Sequence, residues 1–271
     1  MKELTLEITD RCSLSCIHCS TIADKEGSIF FSLEKIKDYL GRFPGFDVVR
    51  LSGGEPFDHP LIIDAAELIH NDGRKVYILS CGVQRGDKIP NRVIEEIRPF
   101  LEEIIFSIHG GHSEHNKIVT SGENWKKEKP YICMMNSAYT AYLAGLPISF
   151  QTVLMKQNYG CLEEMAKEIC SLERYTKQQP KWHIMRFVRQ GRGALHPEQA
   201  LSPEQINQLP RIVEFLSGEY GIRITYSNSF EQRECGCGEK AVVTCYDEVV
   251  PCSALKHGAE TSGQFPCRPR L

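Results

Sequence analysis

Leu4-Thr5-Leu6-Glu7-Ile8-Thr9-Asp10-Arg11-Cys12-Ser13-Leu14-Ser15-Cys16-Ile17-His18-Cys19 is the stretch on which the fold turns. Its first part alternates apolar and polar residues, as a half-buried strand does. Its second part places three cysteines at C-x3-C-x2-C spacing directly after that strand. Outward from it, strands are expected at Leu4–Thr9, Asp47–Ser52, Lys75–Ser80, Glu103–Ile108, Pro147–Leu154 and Trp182–Val188. Between them, helical patterns cover Leu33–Arg42, Leu61–Asn71, Asn91–Phe100, Tyr131–Ala144 and Leu162–Leu172. Ser202-Pro203-Glu204-Gln205 reads as an N-cap with Pro at the first helical position, opening a helix to about Ser217. Strands alternating with helices imply βα units and a parallel sheet, here a partial (β/α)6 TIM-type barrel. Chemistry in such barrels sits at the carboxyl ends of the strands. The cysteine motif follows the first strand, and Gly53-Gly54-Glu55-Pro56 follows the second.

The remaining composition narrows the function. The chain has 271 residues, 41% hydrophobic and 25% charged, with a formal net charge of −3. A disordered tail or a fibrous protein is excluded, and binding of nucleic acid by bulk positive charge is disfavoured. No apolar run is long enough to span a membrane, and no signal peptide precedes the first strand, so a cytoplasmic location is expected.

Twelve cysteines are many for a reduced compartment, where disulfides are the poorer explanation. Cys12, Cys16 and Cys19 form one group; Cys235, Cys237, Cys245, Cys252 and Cys267 form a second. Cys81, Cys133, Cys161 and Cys170 are scattered among apolar or helical residues and read as small buried hydrophobes. The two groups point to metal. Three thiolates in one tight loop can fold around an iron–sulfur cube of the 4Fe–4S type, which takes four ligands. One iron is then left open for substrate or cofactor. The alternative is zinc held by Cys12, Cys16, Cys19 and His18, but the second half-site that zinc motifs usually carry nearby is absent.

Cys12-x3-Cys16-x2-Cys19 after the first strand, with Ser52-Gly53-Gly54-Glu55-Pro56 after the second, resembles the radical SAM enzymes. By position the resemblance covers about the first 190 residues. It implies that the three cysteines hold a 4Fe–4S cluster whose open iron binds S-adenosylmethionine. Reductive cleavage would then yield a 5′-deoxyadenosyl radical that abstracts hydrogen from substrate. It further implies that Gly53, Gly54 and Glu55 bind the cofactor, Glu55 facing the methionine ammonium. Ser107 and Gln151 match cofactor-bonding positions, and Arg186 could neutralise the carboxylate. His18, where relatives often carry an aromatic residue, and Ser13, where Asn is frequent, are departures that leave the cluster motif intact.

The C-terminal cysteines resemble the SPASM/twitch extension of the same family, with Asp247 standing where glycine is usual. A full SPASM domain needs more cysteines than the five remaining, so one auxiliary 4Fe–4S cluster on Cys235, Cys237, Cys252 and Cys267 fits better. Cys245 could replace Cys237 or stay a thiol, and zinc suits these cysteines as well. The division expected is a core at 1–220 and an auxiliary, hairpin-containing extension at 221–271.

An auxiliary cluster could take an electron from a substrate radical, giving oxidation, or bind substrate. Cys81 or Cys245 could instead return a hydrogen atom, giving epimerisation. His109 is a candidate for substrate contact or proton transfer, whereas His112 and His115 are read as a polar loop. Arg189 and Arg192 read as contacts to an anionic substrate or as surface arginines, and Lys126-Lys127-Glu128-Lys129 as a solvated helix start. The resemblance points to a peptide or ribosomally made precursor as substrate, modified by oxidation, crosslinking or epimerisation. A low-potential donor of the flavodoxin or ferredoxin type is implied. Because the first strand begins at Leu4, a leader peptide would need a separate binding protein. The alternatives are a dehydrogenase or epimerase acting on a sugar, nucleotide or cofactor precursor, and a non-catalytic metal-binding protein.

Overall fold

The computed structural model describes residues 2–121, 129–173, 179–227, 230 and 239–252. Nine strands form one sheet: β1 (Glu3–Glu7), β2 (Val48–Ser52), β3 (Lys75–Ser80), β4 (Glu103–Ser107), β5 (Ile148–Leu154), β6 (Lys181–Arg186), β7 (Arg223–Tyr226), β8 (Lys240–Val243) and β9 (Val249–Val250). Their spatial order is β9-β8-β1-β2-β3-β4-β5-β6-β7, and every pairing is parallel except β8 with β9. The first six strands thus lie in chain order. Right-handed crossovers that always step the same way put all their helices on one face, which is barrel winding rather than the reversing order of a doubly wound sheet.

The helices are α1 (Leu33–Arg42), α2 (Ile62–Asn71), α3 (Asn91–Ile97), α4 (His112–Val119), α5 (Lys129–Leu143), α6 (Leu162–Glu173) and α7 (Pro203–Tyr220); all but α4, whose Ile118 and Val119 pack with the cysteine loop, bury residues in the core on that face. Strand residues Leu4, Leu6, Val49, Leu51, Val76, Ile78, Ile104, Phe106, Phe150, Trp182 and Ile184 are buried against helix residues such as Ile36, Ala65, Ile94, Met134, Met165 and Leu209. Each such aliphatic or aromatic side chain contributes about 1.5–3 kcal/mol by burial. The alternate strand positions, among them Glu7, Arg50, Tyr77, Ser107, Gln151 and His183, belong to the opposite face by the two-residue period. This polar interior is where the strand ends deliver chemistry.

Local signals set the boundaries. Ser32 caps α1 by accepting from Lys35 N at 3.2 Å. Ser202 and Gln205 form a reciprocal capping box at the start of α7, and Gly221 ends it in the left-handed region. The helix continues past Pro210 to Tyr220, beyond the expected Ser217. One expectation fails: His112 and His115 lie on helix α4, not on a polar loop. The preceding glycines and the absence of a side-chain cap hide this short helix, whose buried residues are His115, Ile118 and Val119.

The hairpin expected after residue 240 is present as β8 and β9, and β8 extends the sheet beside β1. At the opposite edge, β7 pairs with β6. Asp247 turns this hairpin at φ 66, a left-handed conformation that favours glycine and that Asp tolerates. Lys35 and the Tyr39 hydroxyl bind its carboxylate at 2.7 and 2.9 Å, anchoring the hairpin to α1. Among the described residues no helix is long and apolar enough to cross a membrane.

Candidate active site

The cysteine loop leaves β1 and is held by backbone and side-chain bonds to several other segments. Gly54 N donates to Thr9 O and Glu55 N to Arg11 O, each at 2.7 Å, joining the loop to the turn after β2. Ser13 Oγ accepts from Gly86 N (2.9 Å), beyond β3. Ser15 N and Ile17 N donate to Val119 O and Ile118 O, the last residues of α4. Arg192 N donates to Cys19 O at 2.8 Å, from the loop after β6. An apolar shell of Leu14, Ile17, Ala23, Val83, Ile118, Val119, Met155 and Phe187 encloses the site.

Within it, Cys12 is buried and Cys16 and Cys19 are half-buried. Burial pushes the Cys16 thiol well above its ordinary range, and the neighbouring Cys12 and Cys19 sulfurs push it further. Burial likewise raises Cys19, while the Arg192 guanidinium pulls both down. Neighbouring sulfurs that oppose the ionisation of Cys16 and Cys19 in an apolar pocket call for a cation among them. Three soft sulfur donors on one tight loop inside an apolar shell leave one of the four ligand positions of a 4Fe–4S cluster open, and the donor set fits such a cluster.

The Gly53-Gly54 turn has a physical cause inside the chain. Gly53 sits at φ 131, and side-chain carbons at Gly53 and Gly54 would overlap the carbonyls of Thr9 and Arg11. The glycines therefore let the turn lie directly on the root of the cysteine loop. Glu55 is fully buried. Its Oε1 accepts from Phe57 N (3.1 Å) and Ser80 Oγ (2.8 Å), and its Oε2 from Cys81 N (2.7 Å). Burial nonetheless raises its pKa to about 7. A bound ammonium would offset that cost, because an adjacent positive charge favours the carboxylate.

Ser107 and Gln151 are brought together in register on β4 and β5, Gln151 Nε2 donating to Ser107 Oγ at 3.2 Å. Arg186 ends β6, half-buried, its pKa lowered by burial. The Cys81 thiol lies against Cys12 and Glu55, and burial raises it well above its usual range. Cys245 is buried just past β8, and its neighbour Tyr246 is pushed to about 12 by burial and by the charges of Cys245, Asp10 and Glu7. Cys252 is half-buried at the edge of the described residues, while Cys235, Cys237 and Cys267 lie outside them. Every described cysteine is a thiol rather than a disulfide.

His109 is buried, and its Nδ1 accepts from Val153 N at 3.3 Å, as His115 Nδ1 does from His109 N at 3.1 Å. Each ring is thereby fixed as the neutral Nε2–H tautomer, and protonating either would break a backbone bond. Burial lowers His109 well below its ordinary pKa and takes His115 to about 3. His109 packs edge-on against His18, with ring centroids 4.2 Å apart.

Sequence reasoning did not find Thr21, whose hydroxyl donates to Glu7 Oε1 (3.1 Å), or Asn158, which ties the end of β5 to His109 O at 3.0 Å. Nor did it place Arg192, whose partners are backbone carbonyls of the cysteine loop. For that residue the flanking glycines Gly191 and Gly193 were the available signal.

Comparison with known proteins agrees with this geometry. The family model described as the Radical SAM superfamily matches residues 6–169, taking in both the cysteine loop and the Gly53-Gly54-Glu55 turn. The chain belongs to the radical SAM superfamily. Membership implies a 4Fe–4S cluster and S-adenosylmethionine. The chain is 25% identical over 283 residues to the tungsten-containing aldehyde ferredoxin oxidoreductase cofactor-modifying protein of Pyrococcus furiosus, covering 95% of this chain and 72% of that one. It is 21% identical to the antilisterial bacteriocin subtilosin biosynthesis protein AlbA of Bacillus subtilis, covering 92% of this chain and 54% of AlbA. Its fold is similar to that of Streptococcus suis SuiB bound to S-adenosylmethionine, with a TM-score of 0.70 at 15% identity, covering 92% of this chain and 60% of SuiB. The chain therefore spans little more than half the length of AlbA and SuiB.

Proposed function

We propose that this protein is a radical SAM enzyme that modifies a peptide by oxidation, crosslinking or epimerisation. The observation that carries the enzymatic reading is the buried three-thiol loop braced directly against the Gly53-Gly54-Glu55 turn. In this reading Cys12, Cys16 and Cys19 hold the cluster, and Glu55, Gly53 and Gly54 receive the methionine end of the cofactor. Ser107 and Gln151 hydrogen-bond it, and Arg186 neutralises its carboxylate. When bound, cluster and cofactor supply a carbon-centred radical that abstracts hydrogen from substrate. The chain's own part is to orient the reactants and, through Leu14, Ile17, Met155 and Phe187, to exclude water. Cys81 or Cys245 would return a hydrogen atom if the outcome is epimerisation.

A peptide substrate is supported by the bacteriocin-forming role named for AlbA and by a structure of SuiB bound to its precursor peptide SuiA. The P. furiosus relative, named for cofactor modification and aligned along most of this chain, favours a second reading with a small molecule as substrate. The proposal extends to an auxiliary twitch-like cluster on Cys235, Cys237, Cys252 and Cys267 within 221–271, beside a core at 1–220. It also includes a flavodoxin- or ferredoxin-type donor, a separate leader-binding protein and a cytoplasmic setting.

The test is iron and sulfide per chain after anaerobic purification, repeated with Cys12, Cys16 and Cys19 changed to Ala. About eight irons falling to about four supports two clusters. About four irons, all lost in the variant, keeps the radical SAM centre and rejects the auxiliary cluster. Zinc without iron rejects the enzymatic reading. Cofactor cleavage stimulated by precursor peptides, and not by small metabolites, supports the peptide reading; the reverse result selects the alternative.

A further inference from the structure

The cysteine loop has a second feature that the cofactor motifs do not explain. Between Cys16 and Ala23 the backbone makes an arc that includes Ile22 at φ 58, a conformation β-branched residues rarely adopt. An arc of this kind keeps its shape only where neighbours impose it. One residue bridges both of its ends: Arg192 donates through Nη1 to Cys16 O at 2.9 Å and through Nη2 to Ala23 O at 2.8 Å. Its backbone N–H takes Cys19 O, between them, at 2.8 Å. Gly191, at φ 53, brings this segment so close that a side-chain carbon would lie 2.5 Å from Cys19 O and 2.6 Å from Ser20 O.

We propose that Arg192 is a positioning residue for the cluster, clamping both ends of the ligand arc while placing a fixed positive charge beside it. The inference rests on Cys12, Cys16 and Cys19 being the ligands. Two functions separate by chemistry. The clamp needs a planar fork that reaches two carbonyls at once, which Arg provides and Lys does not. The charge needs only a cation. A cluster on three thiolates gains negative charge on reduction, so a nearby cation stabilises the reduced form and raises the potential.

The experiment compares full-length wild type, Arg192→Lys and Arg192→Gln after anaerobic reconstitution with iron and sulfide. Uptake at this site is the iron lost when Cys12, Cys16 and Cys19 are all Ala. The reduced fraction is followed by electron paramagnetic resonance in poised mixtures, and folding of the apo chains by far-UV circular dichroism. Arg192→Gln is expected to take up iron several-fold more slowly and to need a lower potential for reduction. Arg192→Lys is expected to load slowly while keeping a potential near wild type. Wild-type uptake and potential in a folded Arg192→Gln overturn the inference. If Arg192→Gln does not fold, Arg192→Lys decides: slow uptake with retained potential upholds the clamp, and wild-type uptake rejects it. A wild-type chain whose iron is unaffected by the triple Ala change sinks the ligand assignment instead, which is a distinguishable result.

Discussion

Gly54→Ala tests whether the turn after β2 lies as tightly on the cysteine loop as the structure shows. The added methyl would overlap the Arg11 carbonyl and sit 3.1 Å from Ala23 Cβ. Its tightest contacts are backbone atoms, so no flexible side-chain end can yield. Relieving that overlap costs about 1–3 kcal/mol. Separating the segments also weakens the two 2.7 Å bonds from Gly54 N and Glu55 N, each worth about 1 kcal/mol net. The expected loss is about 3–5 kcal/mol, a large share of a typical domain's stability of about 5–15 kcal/mol. Urea unfolding followed by the fluorescence of Trp182, buried in the core, should show a midpoint lower by about 1–2 M. Gly41→Ala is the control: it lies in α1 with nothing within 4 Å of the new methyl, and should stabilise by about 0.5 kcal/mol. If the two variants unfold at the same urea concentration, the close approach of turn and loop is wrong.

Three further outcomes follow from particular contacts. Glu55 has a folded pKa of about 7 against an ordinary 4.5, so the native apo chain holds its proton more firmly than the unfolded chain. Its stabilising effect is full below pH 4.5 and fades as pH rises through 7, by about 3 kcal/mol at most; urea midpoints that stay flat from pH 5 to 8 would contradict this, and Glu55→Gln should abolish the slope. Asp247→Ala keeps a left-handed non-glycine residue and loses the Lys35 and Tyr39 bonds. It should cost about 1–2 kcal/mol in thermal unfolding, from the lost Tyr39 bond and because Ala tolerates the left-handed conformation less well than Asp, the partly exposed Lys35 pair adding little, whereas Asp247→Gly should recover about 1 kcal/mol. Thr152→Val leaves the buried Trp182 indole N–H, now 2.8 Å from Thr152 Oγ1, without its acceptor, and a loss of about 1–3 kcal/mol in chemical unfolding is expected.

The barrel was legible because its strands alternate cleanly and because α1 and α7 carry their own start signals. Ser32 and Ser202 announce α1 and α7 without help from tertiary structure, and β2 and β3 fall where the apolar runs lie. Helix α4 was not legible: His115 is buried only because Tyr131 and His109 surround it, and nothing local marks an imidazole as core. The cysteine motif and Glu55 were visible as residue types, but their partners were not. Ser80, Cys81 and Arg192 reach the site through strand pairing and loop packing, which sequence spacing does not encode. The same holds for Gly53 and Gly54, whose close neighbours are Thr9 and Arg11, far away along the chain.

Those long-range contacts carry a consequence for stability. The cysteine loop is bonded to the segment after β2, to Gly86 beyond β3, to the end of α4 and to Arg192 after β6. It cannot open without releasing groups on most of the barrel's rim. A cluster bound only by the folded loop therefore stabilises these segments together, by mass action, and not the loop alone. Hydrogen exchange can see this. The amides of Cys12, Ser15, Ile17 and Cys19, all bonded in the structure, should exchange more slowly after anaerobic reconstitution. Those of Gly54, Glu55, Gly86 and Arg192 should slow with them, as one cooperative unit. Slowing confined to residues 12–19 would mean that the loop opens independently, and that the contacts binding it to the barrel do not couple the ligand site to the fold.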